Sequence, residues 1–493
     1  MAGKYQSEAG VPREMEEEQA EFPSHVQELL KCFLGNHVYP EQKEHQRRKQ
    51  ECQLVQALVS RIMASVCKCK VELFTGEAIL VGSQAQDLHV QTESSSSDYD
   101  FLVPIHYNMN LILMGSLYSK LYTPKGLLPV WDSLKPEVPV YRWGNKVVVD
   151  YNKLIMRDLL ERKTVDTDLT EEDIKTINKQ QQQIWKNGID PFHVMKTLWD
   201  CVQEALTKER SLATGIRNIK LENTVGITPV SPAVQLSAEV NGRPVSIDLV
   251  PTIRNKVDMS MDWPQQDLRW LSNWWDREQG AEQRKPTWNI MEIYKTGTDL
   301  VAKNSYWRLT FSLAETQLLK DIDTDGGCRL KVLRMLKQIN MEKWVPRYGK
   351  VLTSYHLKMV LFWASHLNPE TENWAMELDA LGTLLKVLEF SLEKKQLPSY
   401  FLPSMNFFDW HRSEEENSLK NRVLEVLRLE VRLMRCSPEQ YLQLSCDLAK
   451  PQGPGPFIQR ARELDEFRRK HQKDFEEFKN LKISSDRSIN REL

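Results

Sequence analysis

The feature that most constrains the fold is a pair of alternating segments joined by Asn-Gly at residues 241–242. Apolar residues occupy every second position from Val234 to Val240 and again from Val245 to Leu249. Asn-Gly is the strongest short signal for a two-residue hairpin, because both residues tolerate a positive φ. Successive side chains of a strand point to opposite faces. The sequence therefore predicts an antiparallel strand pair with Asp248 on the face opposite Ile247.

A second strand signal carries two aspartates at its head. Asp98 and Asp100 precede an apolar run that ends at Ile105, and they follow a polar loop with four serines. Residues i and i+2 of a strand share one face, so the two carboxylates are predicted to point together. Such a pair is costly to bury unless a cation lies between them. Magnesium prefers oxygen ligands, and Asp248 could supply a third carboxylate if its strand lies alongside.

The dipeptide Gly82-Ser83 lies upstream of the two aspartates. A glycine lets backbone N–H groups approach phosphate oxygens, and the serine hydroxyl adds a donor. Three carboxylates, two metal ions and a triphosphate make up the two-metal scheme of phosphoryl transfer. Each piece alone has an ordinary alternative: a turn for Gly-Ser, a solvated strand edge for Asp-x-Asp. The order of all the pieces along the chain is much more specific.

Length and composition indicate a globular protein of two domains or two lobes. The chain has 493 residues, 41% hydrophobic and 27% charged, with a net charge of −2. No apolar run approaches the roughly 20 residues that span a bilayer, and the acidic N-terminus lacks a secretory signal. We expect no membrane partner and a cytoplasmic location. The eight cysteines have no Cys-x-x-Cys spacing, which favours free thiols over a zinc site.

Helical periodicity dominates the rest of the chain. A long helix is predicted from about residue 40 to 66, and a hairpin turns at residues 144–145. The further helical segments cover 166–206, 308–320, 327–339, 354–367 and 376–394. The charged tail at 457–482, after a Pro/Gly linker, predicts an exposed amphipathic helix.

The order of motifs is the signature of the nucleotidyltransferase fold, and later residues narrow the family. Residues 307–315, 328–339, 353–374 and 397–408 resemble the helical lobe of cyclic GMP-AMP synthase and the male-abnormal-twenty-one proteins. This resemblance implies a two-lobed α+β fold with a mixed-sheet lobe, a helical lobe and a long bracing helix. We expect an acidic leader at 1–22, a nucleotidyltransferase lobe at 23–260, a helical lobe at 261–450 and a linker with a charged helical tail at 451–493.

The resemblance also assigns roles to residues. It makes Asp98, Asp100 and Asp248 the ligands of Mg²⁺ or Mn²⁺ and the catalytic residues. The residues that it places around the nucleotides, which would be ATP, GTP or other nucleoside triphosphates, are Gly82, Ser83, Arg308, Glu315, Lys337, Ser354 and Tyr355. Tyr355 and Arg308 would pack on bases, and Lys337 and Ser354 would contact phosphates. Ordinary core packing or solvated charges are the alternative for each.

One departure from the family bears on the activator. The vertebrate DNA-sensing member carries a zinc-binding His and Cys cluster just before the helix that starts near Cys328, and residues 318–327 contain neither residue type. No structural zinc is therefore expected, and duplex RNA is favoured over DNA. Duplex RNA is recognised through shape and phosphates, which suits a basic face of Arg47, Arg48, Lys49, Lys331 and Arg334. A solvated charged face is the alternative.

These expectations converge on a nucleic-acid-activated enzyme that makes a cyclic dinucleotide. The loop at 84–97 is the predicted mobile element, because it is rich in serine and lacks apolar anchors. Two alternatives remain open: a catalytically silent relative that binds nucleotides or partners as a scaffold, and an enzyme that makes linear oligonucleotides.

Overall fold

The computed structural model of the chain describes residues 42–71, 73–90, 97–106, 128–129, 140–143, 146–149, 191–208, 215–222, 233–254, 290–297, 299–303, 306–401, 406–409, 413–445 and 456–488. The predictions for the acidic leader, for the serines of the 91–96 loop and for the 451–455 linker lie outside these residues.

The strands of the described residues form one mixed sheet. They are β1 Ile79–Val81, β2 Ser97–Pro104, β3 Leu128–Pro129, β4 Val140–Trp143, β5 Lys146–Val149, β6 Ile216–Leu221, β7 Val234–Val240, β8 Arg243–Ile253, β9 Asp299–Lys303 and β10 Tyr306–Thr310. Their order is β1-β2-β8-β9-β10-β5-β4-β3, and β7 pairs with β8 and with β6.

The predicted hairpin is confirmed as β7 and β8. Asn241 and Gly242 both have positive φ, 51° and 80°, as a tight two-residue turn requires. The antiparallel register pairs Val240 with Arg243. On its other edge β8 pairs with β2 in parallel, so the strand that carries Asp248 lies directly beside the strand that carries the other two aspartates.

The helices surround the sheet and build a second layer of core. They are α1 Gln42–Cys69, α2 Gly82–Ala85, α3 Pro191–Lys208, α4 Ile290–Lys295, α5 Ser312–Lys320, α6 Arg329–Ile339, α7 Val345–Tyr348, α8 Ser354–Leu367, α9 Glu372–Ala375, α10 Glu377–Lys394, α11 Glu414–Cys436, α12 Pro438–Ser445 and α13 Pro456–Ser488. A π-helical turn at Asn340–Trp344 joins α6 to α7. Among the described helices, none has the length and apolar character needed to cross a lipid bilayer.

The long helix α1 buries the stripe that its periodicity predicted. Val55, Leu58, Ile62 and Val66 are each 0% exposed. The helix packs on α3 and β7, so its apolar side faces the sheet lobe. This arrangement confirms the bracing helix.

The sheet extends past residue 260, where we expected the first lobe to end. β9 and β10 pair with each other and connect β8 to β5. The helix predicted from Arg308 starts only at Ser312, and Arg308 itself lies in β10. The segment Tyr306–Thr310 is short and gains its conformation from distant partners, which periodicity cannot show.

A buried guanidinium organises the turn before α6. Arg329 is 1% exposed, and its Nη1 and Nη2 donate to the Asp325 carboxylate at 2.7 and 2.8 Å. Asp323 accepts from the backbone N–H groups of Arg329 and Leu330 at 2.9 and 3.0 Å. The Arg329 guanidinium also lies 4.7 Å from the centroid of the Trp374 ring. The buried Arg329 guanidinium thus holds the turn that precedes α6 in place.

The tail helix α13 is packed rather than exposed on its apolar side. Leu464, Phe475 and Phe478 are 2–4% exposed, and α13 lies along α11. Arg468 of the tail pairs with Glu430 of α11, a carboxylate that is fully buried. The tail was expected to be exposed because its apolar residues are few, but those few face α11 and α7.

Candidate active site

Three aspartates lie on one face of the two neighbouring strands β2 and β8. Asp98 and Asp100 alternate with the buried Tyr99 on β2, so both project to the same side. The parallel register places Asp100 opposite Asp248 of β8. Asp98 is exposed, whereas Asp100 and Asp248 are half-buried. The structure therefore places the three predicted carboxylates on one face of two neighbouring strands.

Gly82 lies against this carboxylate group. The register of β1 and β2 pairs Val81 with Asp100, and α2 begins with the next residue. Gly82 has a φ of 71°, and a Cβ at this position would overlap Asp100 Oδ2. Only glycine fits this close approach. The Gly82-Ser83 turn therefore lies against Asp100.

Mutual repulsion and burial raise the pKa values of two of the carboxyl groups. Burial, Asp100 and Asp98 raise the pKa of Asp248 to about 6. Burial and Asp98 raise the pKa of Asp100, and Lys358 acts in the opposite direction. The buried Oδ1 of Asp248 accepts no hydrogen bond from the described residues.

These properties suit a site for a divalent cation. Hard oxygen donors match Mg²⁺, and a cation would both relieve the repulsion and complete the coordination of the Asp248 oxygen. Among the described residues, no three or more His, Cys, Asp or Glu side chains lie close enough together to hold a metal ion in this arrangement.

A second group of predicted site residues lies on α5 and α8, which form a helical wall beside α2 and Gln86. Glu315 is 2% exposed, and its Oε1 accepts from the Tyr355 hydroxyl at 2.9 Å. Its Oε2 pairs with Lys358 Nζ, which also lies 5.0 Å from the centroid of the Tyr355 ring. Glu315 and Tyr355 are thus brought together, and both Glu315 oxygens have protein partners.

Sequence reasoning missed Lys358. This lysine is 7% exposed and lies on the buried side of α8, one turn after Tyr355. A lysine within the apolar run at 357–364 was the available signal, because a buried ammonium needs a partner. The charge of Lys358 acts to lower the pKa of Asp100.

Lys337 and Arg334 of α6 contact the segment that follows α2. Lys337 Nζ donates to the Leu88 carbonyl, and Arg334 Nε donates to the Asp87 carbonyl at 2.6 Å. Arg334 also pairs with the Asp87 carboxylate. Burial, Lys358 and Arg334 lower the pKa of Lys337 to about 7. Lys337 is 5% exposed, so a phosphate would reach it only if residues 87–88 moved.

Ser354 and Arg308 are placed differently. Ser354 is exposed at the first turn of α8. The preceding Thr353 caps this helix together with His356, whose Nδ1 accepts from the Thr353 N–H at 3.0 Å, which gives His356 a structural role. For Arg308 only the backbone is described, and it pairs with Val301 and Lys146.

The five basic residues predicted to bind nucleic acid fall into two groups. Arg47 and Lys49 are exposed on the first turns of α1, and Arg48 is half-buried beside them. Lys331 pairs with Glu377 at 2.9 Å, and Arg334 pairs with Asp87. At α6, a polyanion would have to compete with these carboxylates.

Comparison with protein families matches two adjacent segments. Residues 145–321 match the Mab-21 protein nucleotidyltransferase domain, and residues 328–425 match the Mab-21 protein HhH/H2TH-like domain. The first segment contains Asp248 and Glu315, and the second contains Lys337 and Tyr355. Gly82, Asp98 and Asp100 precede both.

Curated relatives point to the same family. Protein mab-21-like 3 of Danio rerio is 30% identical over 216 residues, which cover 43% of this chain and 52% of that protein. Protein mab-21-like 3 of Xenopus laevis is 26% identical over 200 residues, 40% of this chain and 50% of that one. Cyclic GMP-AMP synthase-like receptor 3 of Stylophora pistillata is 32% identical over 160 residues, 31% of this chain and 45% of the receptor. The chain spans about half the length of these relatives.

Proposed function

We propose, on the premise that the chain carries the nucleotidyltransferase and helical domains of the Mab-21 family, that it is a nucleic-acid-activated synthase of a cyclic dinucleotide. Two nucleoside triphosphates would be the substrates. In each step a 2′- or 3′-hydroxyl attacks an α-phosphate, a new P–O bond forms, and pyrophosphate leaves. The similarity to a cyclic GMP-AMP synthase-like receptor supports this proposal at the level of the product class.

One observation carries the proposal. Asp100 and Asp248 stand opposite each other on parallel strands, with Asp98 on the same face and Gly82 against Asp100. Three neighbouring carboxylates, two of which have raised pKa values, do not stabilise a sheet whose role is purely structural. Carboxyl groups whose pKa values are shifted by burial and mutual repulsion are typical of a functional site.

Asp98, Asp100 and Asp248 would hold Mg²⁺ or Mn²⁺, which when bound supplies the positive charge that stabilises the phosphates and the leaving pyrophosphate. Asp248 would bind the cation through Oδ1, which has no hydrogen-bond partner among the described residues, and its other carboxylate oxygen would accept the proton of the attacking hydroxyl. The N–H groups and the hydroxyl of the Gly82-Ser83 turn would bind phosphate oxygens.

The helical wall would bind the bases and the remaining phosphates. Tyr355, held by Glu315, would stack on one base, and Arg308 would pack on the other. Ser354 is exposed at the start of α8 and suits a phosphate contact. Lys337 would join it after residues 87–88 release its Nζ.

Duplex RNA is the proposed activator, and cytoplasmic innate immune signalling is the proposed setting. The exposed Arg47 and Lys49 on α1 support a phosphate contact. Binding there would act on the segment that joins α2, which ends at Ala85, to β2, which begins at Ser97. A scaffold that binds nucleotides without turnover is the alternative. It is favoured by the finding that, among the described residues, no three His, Cys, Asp or Glu side chains are close enough together to hold a metal ion.

The test is turnover of labelled nucleotides. Purified protein is incubated with ATP, GTP, CTP and UTP and Mg²⁺, with duplex RNA, duplex DNA or neither, and the products are treated with phosphatase. A phosphatase-resistant product that is lost in Asp98→Asn and Asp248→Asn is expected. Asp200→Asn, which alters a surface pair with Lys196 on α3, serves as the matched control and should keep full activity.

The other outcomes identify the alternatives. Phosphatase-sensitive ladders would indicate linear oligonucleotides. No product under any condition, together with measurable nucleotide binding, would indicate a scaffold. A product that survives the Asp248→Asn change would contradict the three-carboxylate site itself.

A further inference from the structure

Gln86 is a buried amide at the boundary between the Gly-Ser turn and the helical wall. The residue is 5% exposed. It directly follows α2, and its backbone N–H donates to the Gly82 carbonyl at 3.1 Å. Gln86 is therefore fixed to the turn that lies on Asp100, and a force on its side chain is transmitted to that turn.

The two ends of the Gln86 amide contact two different helices. Its Nε2 donates to Thr316 Oγ1 of α5 at 3.3 Å, and its Oε1 accepts from Lys358 Nζ of α8 at 3.0 Å. Thr316 Oγ1 itself donates to the Ser312 carbonyl at 2.7 Å. An ammonium can only donate, and the threonine hydrogen is already used. Only one orientation of the amide satisfies both partners.

Lys358 continues this connection to the residues proposed to bind a base. Its Nζ pairs with Glu315, whose other oxygen accepts from the Tyr355 hydroxyl. The contacts thus run from the Gly-Ser turn to Gln86 through a backbone hydrogen bond, and from Gln86 to Tyr355 through side chains. They lie in buried surroundings, where hydrogen bonds are stronger than in water.

We propose that Gln86 is a positioning residue that sets the separation between the Gly82-Ser83 turn and the base-side residues Glu315 and Tyr355. The inference rests on the proposed function, because it gives Gln86 a part in placing the two ends of one nucleotide. An error of about 1 Å in such placement can cost about 100-fold in rate. The side chain at position 86 needs a hydrogen-bond donor for Thr316 and an acceptor for Lys358, and it must be as long as glutamine to reach both.

The test compares Gln86→Met with Gln317→Met in the full chain. Methionine keeps the length of glutamine but has no strong hydrogen-bonding group. Gln317 neighbours Thr316 on α5, and its Nε2 donates locally to Asp321 at 3.2 Å, which makes it a matched control. We expect Gln86→Met to lower kcat about 10- to 100-fold with KM for each nucleotide changed less than about 3-fold, and Gln317→Met to match wild type.

The Gln86→Glu variant distinguishes a loss of positioning from a general loss of folded structure. It keeps the acceptor for Lys358 and loses the donor to Thr316, so it should recover part of the lost kcat. It also covers the case in which Gln86→Met does not fold. Equal kcat in Gln86→Met and wild type would overturn the proposal.

Hydrogen exchange gives a readout that does not need turnover. Backbone amides of residues 82–88 should exchange about 10-fold faster in Gln86→Met than in wild type, and those of Gln317→Met should not change. If wild type turns over no nucleotide, the proposed function fails, and the exchange rates alone decide whether Gln86 holds the turn. Unchanged exchange in Gln86→Met would overturn that role.

Discussion

At the scale of single residues, the charge of the carboxylate group affects the stability of the fold. Burial and the two neighbouring aspartates raise the pKa of Asp248 to about 6. The folded protein binds this proton more tightly than the unfolded chain does. The resulting stabilisation is complete below the ordinary aspartate pKa of about 4 and is lost as pH rises through about 6. At neutral pH the ionised Asp248 therefore weakens the metal-free fold.

Asp248→Asn should stabilise the metal-free protein at pH 7.5 while it abolishes turnover. We expect Tm to rise by a few degrees, since 1 kcal/mol corresponds to about 2–4 °C for a domain of this size class. At pH 4.5 the variant and wild type should differ much less. Thermal unfolding at both pH values, with and without Mg²⁺, measures this.

Two further results sharpen the same experiment. Mg²⁺ should raise the Tm of wild type at pH 7.5 more than that of Asp248→Asn, because the cation relieves the repulsion. Asp200→Asn provides the surface control. A fall in Tm for Asp248→Asn at pH 7.5 would show that Asp248 stabilises the fold instead.

The sequence was sufficient to place residues whose position follows from alternation or from a motif. Asp98, Asp100 and Asp248 came from the period of two and from their order along the chain. Gln86 and Lys358 could not be found this way. Each becomes informative only when residues more than 200 positions apart meet, since Lys358 and Gln86 lie 272 residues apart in the sequence.

At the scale of elements, the tail helix depends on one buried charge. Glu430 of α11 is 0% exposed and accepts from the hydroxyls of Tyr348 and Tyr441 at 2.6 and 2.9 Å. Arg468 of α13 supplies the close cation, and Arg347 lies farther away at 3.5 Å. Without Arg468 the buried carboxylate loses most of its charge compensation.

Arg468→Gln should therefore destabilise the protein by about 3 kcal/mol. The neighbouring Arg469 is exposed and contacts the Asp465 carbonyl at 3.3 Å, so Arg469→Gln should cost less than about 0.5 kcal/mol. Urea unfolding measures both changes, and limited proteolysis reports release of α13. Equal effects of the two substitutions would contradict the pairing with Glu430.

Elements with strong local signals were predictable, and those that depend on distant pairing were not. The hairpin β7–β8 and the helix α8 match their predicted bounds closely, because turn chemistry and helical period act locally. Arg308 was assigned to a helix but lies in β10. Its conformation depends on pairing with β9 and β5, which no local pattern reveals.

At the scale of the whole molecule, the basic residues predicted to bind nucleic acid lie in two places. Arg47 and Lys49 are exposed at one end of α1, and Lys331 and Arg334 lie on α6, where they pair with Glu377 and Asp87. The net charge of −2 leaves no general attraction for a polyanion. Nucleic-acid binding, if it follows the proposal, should therefore depend on α1.

The double change Arg47→Glu and Lys49→Glu should weaken binding of duplex RNA by about 10-fold or more. It should also reduce the slope of log K against log salt concentration by about 1–2, the number of phosphate contacts removed. Fluorescence anisotropy at several salt concentrations measures both. Lys68→Glu with Lys70→Glu, at the other end of α1, is the charge-matched control. The same loss in both double variants would show that overall charge, not this face, determines binding.

The close approach of Gly82 to Asp100 has a consequence for the history of such chains. Any larger side chain at position 82 would displace the Asp100 carboxylate. If the proposed catalysis is retained, neither residue can therefore be substituted during evolution without affecting the other. A lineage that abandoned catalysis would be released from both restrictions at once. Paired loss of this glycine and this aspartate would then mark, in a genome, the descendants that survive as silent binding proteins.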